Sequence, residues 1–221
     1  MDKSLFNVYL HMLELGKTSI SLANWHSCFD NSESPMWSEM SVLQAAHAAE
    51  IFIKARICQE HPLLIFEKIP SVNFESDEVL DLKSLIEKGR TYQYSDLPNR
   101  LWASTGIKLE NLDGYNAFGK LRNCIQHFAS PEGVSCRMET VRFIYEVIDP
   151  FIYKCWGLCA IDYTDESDTY YSIPENLIDN CIAFNVSKQA ALELCRMSIN
   201  WPEDSSYTKK MLSRIELALS N

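Results

Sequence analysis

Apolar residues recur at helical spacing along most of the chain. Leu5, Val8, Tyr9, Met12 and Leu13 mark a first helix from Asp2 to about Leu15, with Gly16 as its stop. A Ser- and Asn-containing connection that holds Trp25 and His26 runs on to Pro35. The segment from about Met36 to Glu60 is apolar nearly all round, the pattern of a central helix buried by its neighbours. His61-Pro62 breaks it, and Leu63-Leu64-Ile65-Phe66 reads as a turn tucked into the core. Pro70 to Ser76 is a loop, and Asp77 to Lys88 a helix closed by Gly89. Ser95 caps a short element that carries Leu101, Trp102 and Ile107. Asn111 or Asp113 opens the next helix, which reaches about Phe128 and is ended by Ser130-Pro131-Glu132-Gly133. A long helical stretch from Cys136 to Leu158 follows, kinked or divided by Pro150. After an acidic linker from Asp162 to Asp168, helices are expected from Pro174 to about Phe184, from Ser187 to about Met197 with Ser187 as cap, and from Ser206 to Leu219. Only Thr169-Tyr170-Tyr171 hints at a strand. The pattern is that of an all-α protein.

Composition narrows the function classes. An apolar fraction of 47% supports a full core, and 7 Gly with 8 Pro argue against long disordered linkers over 221 residues. The net charge is -10, from 30 acids and 20 bases, so the overall field repels nucleic acid and any such role needs a local basic patch. The same charge suits a basic protein partner. The first residues show no signal peptide and no stretch approaches a membrane span, so a cytoplasmic location is expected. Eight scattered cysteines without a C-x-x-C pair read as reduced buried thiols. The Asp162–Asp168 segment lacks the glycine and closing glutamate of a calcium loop. No metal or cofactor is called for.

The chemistry concentrates in the helix that opens near Asn111. At roughly 100° per residue, Asn116, Lys120, Asn123 and His127 share one arc, and Phe118, Leu121, Ile125 and Phe128 the opposite side. Arg122 lies on the flank. A guanidinium, an amide and an imidazole so arranged can hold a phosphate and move a proton. They equally describe the solvated face of an amphipathic helix. His127 falls in the last turn, where the helix end favours a cation while Arg122 and Lys120 disfavour one. On the central helix His47, Glu50 and Lys54 cluster with His61, and Glu50 and Lys54 form an i,i+4 pair. That stripe is either an internal ion pair that pins packing or a second layer behind the Arg122–His127 face.

Arg122-Asn123-Cys124-Ile125-Gln126-His127 resembles the signature of the HEPN superfamily, an arginine followed after four to six residues by a histidine, with a polar residue beside the arginine. Here four residues intervene and Asn123 fills the polar place. The segment from Gln44 to Arg56 is similar to the second long helix of such domains. The resemblance covers residues 1–160, an HEPN-like helical domain, and leaves 161–221 as a C-terminal helical extension of unknown role. It implies a metal-independent endoribonuclease of the toxin or antiviral-defence kind, with Arg122, Asn123 and His127 catalytic. Asn116, Lys120, His47, Glu50 and Lys54 would bind RNA or stand behind the site. The implied partners are an RNA substrate, a second copy docked through the motif helix, and an antitoxin or regulatory protein. Two other readings compete: a catalytically inactive dimerisation or RNA/protein-binding module, and an adaptor whose acidic surface binds a basic protein.

Overall fold

A computed structural model describes residues 3–29, 34–71, 79–164, 169–203 and 205–220. Among the described residues the chain is all-α apart from one small two-stranded sheet. The helices are α1 (Val8–Cys28), α2 (Trp37–Glu60), α3 (Leu82–Lys88), α4 (Leu97–Thr105), α5 (Leu112–His127), α6 (Cys136–Phe143), α7 (Asp149–Trp156), α8 (Thr169–Asp179), α9 (Lys188–Arg196) and α10 (Ser205–Ser220). β1 (Phe66–Lys68) pairs antiparallel with β2 (Arg90–Thr91). Two compact units form, one from Met1–Gly16 with Ala49–Lys108 and one from Lys17–Ala48 with Leu109–Asn221. Residues on both sides of position 160 belong to the second unit. Among the described residues no helix is long and apolar enough to cross a membrane.

The first unit is built around the second half of α2, whose Phe52, Ile53 and Ile57 are fully buried beside Leu5, Leu85, Leu97 and Leu101. Gly16 was expected to stop the first helix, but α1 runs through it to Cys28 and so includes Trp25 and His26. A Cβ at Gly16 would meet the Phe52 ring at 2.8–2.9 Å. The glycine therefore serves close packing of a ring on a helix and not termination. The His61-Pro62 break holds: the His61 Nδ1 accepts from the Leu63 N–H at 3.3 Å and opens a 3₁₀ turn over Pro62–Ile65. The sheet that follows was not expected, because its strands are two and three residues long and too short to show alternation. The helix expected from Asp77 is shorter and starts at Leu82, capped by Asp81, whose side chain accepts from the Ser84 N–H at 2.8 Å. Asp96, not Ser95, precedes α4. Gly106 ends that helix at φ 73°, a left-handed position that suits glycine.

The second unit packs Ile20, Ala23, Val42, Ala45, Tyr115 and Phe143 with Ile144, Ile148, Ile152, Leu177, Phe184 and Met211. Pro150 is expected to kink or divide the long helix, but the helical backbone runs unbroken from Cys136 to Trp156: α6 passes through a π-helical turn at Ile144–Ile148 into α7, and Pro150 stands just after that turn. Buried polar groups tie the elements. Asn24 on α1 donates to the carbonyls of Ala160 at 3.2 Å and Tyr163 at 2.9 Å, and accepts from the Tyr145 hydroxyl at 3.1 Å. Ser41 and Thr140 pair through their hydroxyls at 2.8 Å. Ser187 caps α9, accepting from the Ala190 N–H at 3.1 Å. Thr169–Tyr171 is the start of α8 and not a strand, and Pro174 lies inside that helix instead of opening it. The acidic linker lies largely outside the described residues, as do much of the loop after Pro70 and part of that before Pro35. None of the eight cysteines is in a disulfide, and Cys181 and Cys195 are exposed, contrary to a wholly buried set.

Candidate functional site

The site is laid on α5. Asn111 caps it, its side chain accepting from the Gly114 N–H at 2.9 Å. Tyr115, Phe118 and Gly119 are buried, and the Phe118 ring stacks on Phe143 of α6 at 3.8 Å with only 4° between the planes. That anchor fixes the rotation of the helix about its axis. Asn116, Lys120, Asn123 and His127 are consequently all exposed, as the wheel required. Leu121 and Ile125, expected on the opposite side, are only half-buried, as is Arg122 on the flank. Phe128 departs from the wheel. It is the C-cap, with φ -136° and ψ -84°, so its backbone has left the helix and its ring is 89% exposed.

Arg122 Nη1 donates to Asn123 Oδ1 at 2.9 Å. The two side chains thus form one unit, with the guanidinium held beside the exposed face. Asn123 and His127 are one helical turn apart, and Lys120 is one turn before Asn123, separations at which side chains on a helix surface are neighbours, about 5–6 Å between Cβ atoms. After the helix ends, both Phe128 and Ala129 donate to the Cys124 carbonyl, at 2.8 and 3.1 Å. The Ser130 hydroxyl then donates to Glu39 Oε1 of α2 at 2.8 Å, and Ser38 to Oε2 at 2.8 Å. Burial works against charge on Glu39, but the hydroxyls of Ser130 and Ser38 outweigh it and hold this carboxyl below its usual range. An ionised Glu39 therefore fastens the segment just past His127.

His47 is exposed on α2 in the second unit. Glu50 and Lys54 belong to the first unit, where Lys54 Nζ donates to Glu50 at 2.6 Å and to the Thr91 hydroxyl at 3.1 Å. Lys54 is buried, so these partners are what make its charge tolerable there. Of the residues expected at the site, the structure brings Arg122 together with Asn123, and Glu50 together with Lys54.

Sequence reasoning missed a second polar centre. Asp149 is buried on α7 and accepts from the Ala160 N–H at 2.8 Å and the Asn185 N–H at 2.7 Å, one at each carboxylate oxygen. Burial pushes the carboxyl up to about 7, against those two bonds and the nearby Arg214. Its signal was legible: an aspartate inside the apolar run Ile144-Tyr145-Glu146-Val147-Ile148-Asp149-Pro150-Phe151-Ile152 has to find internal partners. Among the described residues no three His, Cys, Asp or Glu side chains gather as a metal site would require. Searched against protein-family models, curated proteins and solved structures, the chain matches none.

Proposed function

We propose that this chain is a metal-independent endoribonuclease of the HEPN type, acting as a toxin or antiviral-defence effector. The observation that carries the reading is the Arg122–Asn123 bond of 2.9 Å on an exposed helix face that also presents His127 one turn on. Arg122 binds the scissile phosphate and stabilises charge in the pentacoordinate transition state. Asn123, whose carbonyl is engaged by Arg122, keeps its amide N–H groups for a phosphate oxygen. The 2′-hydroxyl attacks the adjacent phosphorus and gives its proton to His127 of one copy. The P–O5′ bond breaks, and the leaving oxygen takes a proton from His127 of a second copy. The products are a 2′,3′-cyclic phosphate and a 5′-hydroxyl. One chain carries one such histidine, so acid and base together call for a two-fold dimer through α5. Lys120 and Asn116 extend the face toward flanking backbone, and Lys120 with Arg122 supplies the local positive charge that a chain of charge -10 needs.

Expression of the wild type beside His127→Ala tests this. Growth arrest is expected from the wild type alone, with RNA ends mapped as 2′,3′-cyclic phosphate and 5′-hydroxyl. Cleavage at the same positions by the pure variant overturns the mechanism. One observation favours the inactive module instead: the Phe128 ring, 89% exposed at the end of the motif helix, suits a protein contact. On that reading the dimer binds RNA or a partner and leaves labelled RNA intact over hours.

A further inference from the structure

An open cleft of about 680 Å³ lies within the second unit, and its lining includes none of Asn116, Lys120, Arg122, Asn123 and His127. Its walls come from α7, from the connection between α8 and α9, and from α10. That connection is fastened at three points. Asp149 accepts the Asn185 N–H at 2.7 Å, the Tyr207 hydroxyl donates to the Ile182 carbonyl at 3.1 Å, and Arg214 donates to the Phe184 carbonyl. At its start Cys181 holds φ 53°, a left-handed conformation uncommon outside glycine. The cleft is thus preformed by packing and hydrogen bonds, as a binding site should be.

Its lining is specific in character. Lys154, Lys210 and Arg214 face the cleft together. Among the described residues Lys154 and Lys210 are exposed and neither is ion-paired. Arg214 spends one donor on the Phe184 carbonyl and retains others of its fork. Tyr153, beside Lys154, presents a ring that is 47% exposed, and the Asn185 side chain supplies an amide. Glu110 and Glu146 add exposed carboxylates to the lining, and the buried Asp149, already bonded to two backbone N–H groups, lies behind them. Three cations suit a phosphate group, an exposed tyrosine ring suits a stacked base, and carboxylates suit ribose hydroxyls or exocyclic amines. The volume lies within the range that encloses small ligands.

We propose that this cleft binds a nucleoside phosphate, with Lys154, Lys210 and Arg214 on the phosphates and Tyr153 against the base. The site gives the C-terminal residues a ligand-sensing role that does not depend on the ribonuclease reading. Calorimetric titration of the full chain with ADP, inorganic phosphate and adenosine tests it, with no RNA present. ADP should bind saturably and at least about tenfold more tightly than either fragment. Lys154→Ala combined with Lys210→Ala should weaken ADP by at least about tenfold. Lys210→Glu alone should do the same and leave the circular dichroism spectrum unchanged. Absence of saturable ADP binding at millimolar concentration, an unchanged affinity in the folded double variant, or inorganic phosphate binding as tightly as ADP would each overturn the proposal.

Discussion

Arg122 and Asn123 are adjacent in sequence, and their side chains meet at 2.9 Å because the helix carries the arginine on its flank. This pairing has a consequence for substitution. Arg122→Lys keeps the charge but loses the planar fork that can bind Asn123 and a phosphate at once. Cleavage should fall by about 10²–10³-fold, the usual effect of removing a donor to a transition-state oxyanion. Stability should change by no more than about 0.5 kcal/mol, since the group is near the surface. Single-turnover kinetics and urea unfolding on the same preparations measure both, and an unchanged rate would remove Arg122 from the site. At this scale the sequence was readable where the backbone stayed helical. Asn116, Lys120, Asn123 and His127 stand where a 100° period puts them. Phe128 does not, because at the C-cap its dihedrals leave the helix and its side chain no longer follows the period.

Among the helices, α5 was legible because its start and stop signals are local: an Asn111 cap and a turn at Ser130–Gly133. The first helix was not, because the reason for Gly16 is a contact with Phe52, thirty-six positions on in the chain. Local rules read such a glycine as an ending, and tertiary packing decides otherwise. Gly16→Ala tests the point. Alanine is the better helix former by about 0.8–1 kcal/mol, so a helix stop or a neutral position predicts stabilisation. Overpacking against the ring should reverse the sign, with a net loss of up to about 2 kcal/mol in urea denaturation. A more stable variant would contradict the packing role. The Glu50–Lys54 pair is another case in which the spacing was visible but the reason was not. Its third partner, Thr91, lies on a strand too short to anticipate.

Across the whole molecule the all-α class was plain from periodicity; of the Asp149 centre the sequence showed only an aspartate inside an apolar run, because its partners Ala160 and Asn185 lie 11 and 36 positions on. Asp149 makes a testable contribution to the dependence of stability on pH. In the unfolded chain its carboxyl ionises near 4, and in the folded protein only near 7. Between these values the folded state keeps a proton that the unfolded state has lost. The contribution of Asp149 is therefore greatest at acid pH, falls as pH rises from about 4 to about 7, and is level above that. Asp149→Asn should lower stability at every pH by leaving one N–H opposite an amide donor, and should remove this slope. Urea midpoints at about pH 5 and about pH 7 for the two proteins check it; equal slopes would contradict it. The ribonuclease reading also requires two copies, so sedimentation should show a dimer at micromolar concentration, and a strict monomer would count heavily against it. The central claim is tested most directly by incubating purified wild type and His127→Ala with labelled RNA and identifying the new ends. The account predicts 2′,3′-cyclic phosphate and 5′-hydroxyl ends from the wild type, with loss of about 10²–10⁴-fold in rate for the variant. Intact RNA with the wild type, or equal cleavage by both proteins, would contradict it.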